Sequence, residues 1–217
     1  MRYLQQLWHS IQYTLAMIVC ALAAAVVVWA DVYPFLALSR PIPDAEALLI
    51  EGWMPDHAIA EAAAEFRRGS YQIIITTGPP ILHGSYLKPH RNFAELSAAT
   101  LVALGIGADK VMALPHDSVA IRRTASSAIA LRQGLQKAEL RPKAINLYSL
   151  GPHARRTWEL CCAALGPEVQ VGVLSSQPQD YQPAQWWRTS SGTRVVLGEM
   201  IAYTHLHLSR QLHQVLK

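Results

Sequence analysis

Short apolar runs alternate with helical stretches from Ala47 onward, and this alternation constrains the chain most. Ala47–Glu51 (ALLIE), Tyr71–Thr77 (YQIIITT), Lys110–Leu114, Ala144–Ser149 (AINLYS) and Val169–Leu174 (VQVGVL) read as strands, each too short for a stable helix. Helical patterns separate them at Asp56–Arg68, about Arg91 to Leu104, Thr124–Lys137 and His153–Leu165, with a long C-terminal helix over Thr193–Leu216. Gly78-Pro79-Pro80 and Gly151-Pro152 close the second and fourth runs. Strands this apolar need cover on both faces, as parallel βαβ units supply. The expected fold is α/β: a Rossmann-like, doubly wound, mainly parallel five-stranded sheet. No internal repeat, low-complexity segment or second domain interrupts it.

Composition matters chiefly at the N-terminus. The chain is 51% hydrophobic and 16% charged, and between Arg2 and Asp31 there is no Asp, Glu, Lys or Arg. Ile11–Ala30 (IQYTLAMIVCALAAAVVVWA) would reach about 30 Å as a helix, the thickness of a bilayer's hydrocarbon core. Trp8, Trp29 and Tyr33 stand where an aromatic belt would lie. One transmembrane helix is therefore expected ahead of the sheet. A cleaved signal peptide ending at Val28-Trp29-Ala30 is the alternative, set against a long apolar run and an n-region with only Arg2. Pro34, Pro41 and Pro43 predict a stalk that cannot continue the helix. The expected division is an anchor over residues 1–33, a stalk over 34–45 and the α/β domain over 46–217. Arg2 and the α-amine precede the apolar run, and no further basic residue appears until Arg40. This places the N-terminus inside the plasma (inner) membrane and the domain outside the cytoplasm.

The formal charge is +4 and the pI near 9.1, but the basic residues form no stripe, so nucleic acid is not an expected partner. Cys20, Cys161 and Cys162 show no disulfide or metal-ligand spacing.

Ligands of open α/β sheets bind beyond the carboxyl ends of the strands. Those turns hold Glu51, Gly52 and Trp53; Thr77 and Gly78; His116, Asp117, Arg122, Arg123 and Thr124; and Gly151, His153, Arg155 and Arg156. In Gly151–Arg156 (GPHARR) a helix start offers free N–H groups, arginines offer forked donors for phosphate or carboxylate, and His153 can move a proton near neutral pH. An exposed histidine with two surface arginines would produce the same string. Thr124 is equally an N-cap, and Glu95 either an exposed helix residue or a pocket carboxylate. Glu199 sits late in the last helix behind Trp186-Trp187, which could wall a pocket or pack in the core. His205 and His207 diverge on a helix and no HExxH or Cys/His set occurs, so no metal site is expected; GxGxxG, GxxxxGK[ST] and GxSxG are also missing from the sequence, which argues against dinucleotide, P-loop and α/β-hydrolase chemistry.

In order, ALLIEG, IIITTG, AELSAA around Glu95, LGI, RRTASSA, YSLGPHARRT and WWRTSSGTRVVLGEMIAY resemble the bacterial YdcF/SanA/ElyC family of envelope-associated proteins, over roughly Ala47 to Tyr203. The resemblance implies Gly78, Glu95, Thr124, His153, Arg156 and Glu199 as pocket residues. This chain departs from the family pattern at Pro79-Pro80, at Ser127 in place of an asparagine, and at Glu51-Gly52-Trp53. It further implies a role in envelope or peptidoglycan-precursor metabolism, with no settled reaction or cofactor. The expected activity is binding or processing of an anionic, phosphate-bearing or lipid-linked envelope precursor. Arg156, with Arg123 or Arg155, would hold the anion, Gly52 and Gly78 would line the site, and His153 and Glu95 would act as acid and base. The alternatives are an S-adenosylmethionine or nucleotide-binding module, and a non-catalytic anchored protein that binds a partner.

Overall fold

A computed structural model describes residues 2–83, 89–117 and 123–215; side chains of 2–7, 10, 21–28 and 210–215 lie outside the description. Five parallel strands, β1 (Ala47–Glu51), β2 (Ile73–Gly78), β3 (Val111–Pro115), β4 (Ala144–Leu150) and β5 (Gln170–Ser176), form one sheet in the order β3-β2-β1-β4-β5. The order reverses between β1 and β4, which pair from Ala47↔Ile145 to Ile50↔Tyr148. That reversal leaves a crevice at the carboxyl ends of these two strands, the general ligand position of doubly wound sheets.

The period of two along β1 divides the core. Leu48 and Ile50 face α2 (Asp56–Arg68) and α3 (Phe93–Ala103), packing with Ala58, Ala62, Phe66 and Leu101. Ala47 and Leu49 face the other way, toward Leu131 and Leu135 of α4 (Arg123–Lys137) and Ala154 and Cys161 of α5 (His153–Leu165). Both faces are thus covered, as the apolar runs require.

Helix α1 (Arg2–Leu36) runs through Pro34 into the domain, so residues 34–36 are not stalk. Proline removes one helical hydrogen bond, and burial offsets that loss: Tyr33 and Leu36 pack with Tyr181, Trp186 and Val196. Residues beyond the helix are also bound. Arg40 exchanges both backbone hydrogen bonds with Val173 (2.7 and 3.0 Å), covering the free edge of β5, and the Asn146 side chain holds Ile42 N and O. The expected stalk is part of the domain.

The last helix, α6 (Ser190–Val215), follows a 3-10 turn at Pro183–Arg188 and packs on α1 and α5. Among the described residues no helix is long and apolar enough to cross a membrane, and side chains 21–28, the centre of the expected span, lie outside the description.

Candidate functional site

At the crevice between β1 and β4, two buried glutamates approach from opposite directions. Glu51 ends β1 at 4% exposure; its carboxylate accepts hydrogen bonds from Thr157 Oγ1 (3.1 Å), Trp53 Nε1 (3.2 Å) and Ser149 Oγ. An acidic group can end so apolar a strand only because three donors satisfy it there.

Glu199 enters from α6. Arg156 grips it bidentately, Nε to Oε2 at 2.8 Å and Nη2 to Oε1 at 2.9 Å, and His153 Nδ1 lies 2.9 Å from Oε1. The remaining guanidinium nitrogen of Arg156 donates to Thr124 Oγ1 at 2.9 Å. Burial pushes the Glu199 carboxyl up, but hydrogen bonds from His153 and Arg156 outweigh it and hold the pKa down at about 2. For Arg156, burial opposes the charge, while Glu199 and, less strongly, Glu51 favour it, and the net direction is upward.

His153 opens α5, one turn ahead of Arg156 on the same face. Its ring meets Trp53 edge to face at 4.7 Å between centroids. Because Nδ1 faces a carboxylate, the neutral ring is held as the Nδ1–H tautomer, with Nε2 as the free base. No described residue bonds Nε2, and the side chain is 27% exposed. Chemically the arrangement is a carboxylate-oriented imidazole beside a partly buried guanidinium, suited to proton transfer.

His153, Arg156, Thr124 and Glu199 therefore come together, whereas other expected site residues do not. Glu95 stands exposed in the first turn of α3, its backbone N–H bonded to Asn92 Oδ1 at 2.8 Å. Among the described residues no bond joins it to the cluster, so the carboxylate partner of His153 is Glu199. Arg155 turns toward α1, donating to Phe35 O at 2.5 Å with its guanidinium 3.9 Å from the Phe35 ring centroid. These contacts tie α5 to α1 and draw Arg155 away from the His153–Glu199 cluster. Arg123 is exposed at the start of α4, and Arg122 lies outside the described residues. Thr124, inside the helix, is not its N-cap.

The expected ligand glycines are packing positions. A Cβ on Gly52 would stand 2.5 Å from Phe93 O, and one on Gly78 2.7 Å from Phe93 Cβ, because the first turn of α3 lies directly on both. Glu51, a rim residue to which the sequence assigns no role, is a functional candidate; its signal is a lone acid ending a wholly apolar strand.

At the rim of β3, His116 Nε2 lies 3.0 Å from Ser127 Oγ; burial lowers the His116 pKa, with Asp117 opposing. At the opposite, amino end of the sheet an open groove of about 980 Å³ is edged by exposed charges such as Arg132, Glu139, Arg141 and Glu168. Among the described residues no buried titratable cluster faces that groove, so we assign the chemistry to the carboxyl end. Among the described residues no three His, Cys, Asp or Glu side chains come together as a metal site.

Fold and site define an all-parallel, Rossmann-like α/β protein with a histidine–glutamate–arginine cluster at its switch point. No family model matches the chain, and no curated protein matches it.

Proposed function

We propose that this chain is a single-pass, membrane-anchored envelope protein of the YdcF/SanA/ElyC type. Its switch-point cluster binds a small anionic, phosphate-bearing envelope precursor, and His153 exchanges a proton with it. The observation that carries this reading is the 2.9 Å contact of His153 Nδ1 with a carboxylate that Arg156 also fixes, with Nε2 unengaged by any described residue. Glu199 orients the imidazole, Arg156 fixes Glu199, and Trp53 limits the ring's rotation.

The anchor rests on a separate observation. Every described side chain from Ile11 to Cys20 is exposed, with Ile11, Leu15, Met17 and Val19 each more than half so, on one continuous helix. An exposed apolar helix surface of this kind is stable in lipid and unfavourable in water. Charge asymmetry about the apolar run supports a domain on the extracytoplasmic side.

The nucleotide alternative gains no support from the first turn, where the start of α3 packs directly on Gly52 and Gly78.

The test is complementation of a strain lacking the gene, scored by envelope integrity under wall-directed antibiotics at matched protein levels. His153→Ala is expected to fail and Glu95→Gln to behave as wild type. Full function from His153→Ala would end the catalytic reading.

A further inference from the structure

Three tryptophans gather where α1 enters the domain. Trp29 lies 4.4 Å from Trp186 and 6.4 Å from Trp187 between ring centroids. Trp186 is 1% exposed and forms core, while Trp187 and Trp29 are 44% and 42% exposed. The globular domain thus leaves one large amphipathic ring uncovered directly beside the ring that ends the apolar run.

We propose that the Pro183–Arg188 turn is a second membrane contact, with Trp187 seated in the headgroup layer of the bilayer that α1 enters. The inference rests on the anchor reading and follows from it by distance. If Ile11–Ala30 fills the hydrocarbon core, Trp29 lies at its boundary, and the interfacial layer beyond is about 5–8 Å deep on each side. A ring 6.4 Å from Trp29 lies in that layer or at its edge. Tryptophan favours this zone because its body is apolar and its N–H is polar.

The flanking groups fit. Arg188, Gln185 and Thr189 are exposed and polar, as headgroup contacts should be. Asp180, the nearby acid, is engaged by Ser191 Oγ. Asp31, exposed just past Trp29, offsets part of the Arg188 charge, so the attraction is interfacial and not a demand for anionic lipid. Burial of Tyr33, Leu36 and Val196 in one core fixes the turn's height relative to α1. Two contacts also suppress rotation of the domain about the helix axis, giving the carboxyl-end crevice a set orientation toward the membrane surface.

The test uses the full chain, labelled with 5-fluorotryptophan and reconstituted in phosphatidylcholine nanodiscs with or without a headgroup-level paramagnetic lipid. Trp29→Phe, Trp158→Phe and Trp187→Phe assign the fluorine resonances. Trp158, whose indole N–H donates to Val171 O in the amino half of β5, is the internal reference. Trp29 and Trp187 are expected to lose intensity together while Trp158 keeps it. Loss at Trp29 alone, with Trp187 tracking Trp158, overturns the second contact and leaves the anchor standing. Loss at neither overturns both.

Discussion

Replacing Glu199 by glutamine keeps the side chain's shape and removes its charge, which isolates the electrostatic part of the cluster. The folded-state pKa falls from 4.5 to about 2, and the side chain is 8% exposed, so solvent screening is slight. At about 1.4 kcal/mol per unit, that shift corresponds to about 3 kcal/mol of stability. A second route is compatible in size: stranding one charge of a fully buried ion pair costs about 3–5 kcal/mol, and Arg156, only partly buried, should fall at or below the lower end. The pH dependence follows from the sign. The folded pKa is depressed, so the contribution is complete above about pH 4.5 and is lost as the pH falls toward about 2. At about pH 3 roughly half remains. Urea unfolding of the full chain in mild detergent, wild type against Glu199→Gln, should show a gap of about 3 kcal/mol at neutral pH that narrows steadily in acid. A gap below about 1 kcal/mol, or one unchanged between neutral pH and about pH 3, would refute the charge-locked cluster.

Arg155→Ala should cost about 1–2 kcal/mol through loss of the Phe35 ring and carbonyl contacts. Hydrogen exchange should then quicken over residues 33–38 and stay unchanged around His153; unaltered exchange at 33–38 would deny Arg155 its anchoring role. Gly52→Ala forces a Cβ against Phe93 O and should destabilise by about 1–3 kcal/mol in the same urea assay. A neutral result would mean that α3 can shift away and that Gly52 is free to serve a ligand.

Legibility in the sequence followed locality. The bounds of β1, α2 and α5 coincide with their patterns because apolar runs and Gly/Pro breaks mark them within a few residues. β2 starts two residues later than its pattern because Tyr71 turns its hydroxyl to Asn146 and Glu65 and stacks on Phe66. β5 runs on to Ser176 because Ser175 and Ser176 pair with Ser149 and Leu150, and serines carry no strand signal. The site was legible as a rim but not as a network. Arg156 and Glu199 lie 43 positions apart, and Thr157 and Glu51 lie 106 apart, so no spacing rule could join them. The Pro34 reading failed for a related reason: the helix persists through contacts with residues of the distant 3-10 turn and α6.

The network also limits how an anion can bind. Arg156 commits its Nε–Nη2 fork to Glu199 and one Nη1 donor to Thr124, and Glu51 adds a second negative charge nearby, so its charge is already compensated before any phosphate arrives. A phosphate-bearing ligand has two ways in. It can displace Glu199, which requires moving α6; but Val196, one turn before Glu199, is buried with Tyr33 and Leu36 of α1, so that motion would disturb the helix that anchors the domain. Alternatively, His153 can take up a proton while Glu199 stays in place, presenting Nε2–H to the phosphate. The second route needs no backbone shift and keeps every buried charge paired, so it is the lower in energy. Under the proposed function, anion binding and proton uptake at His153 would be one linked event, and the same Nε2 that bonds the ligand would be the atom that returns the proton.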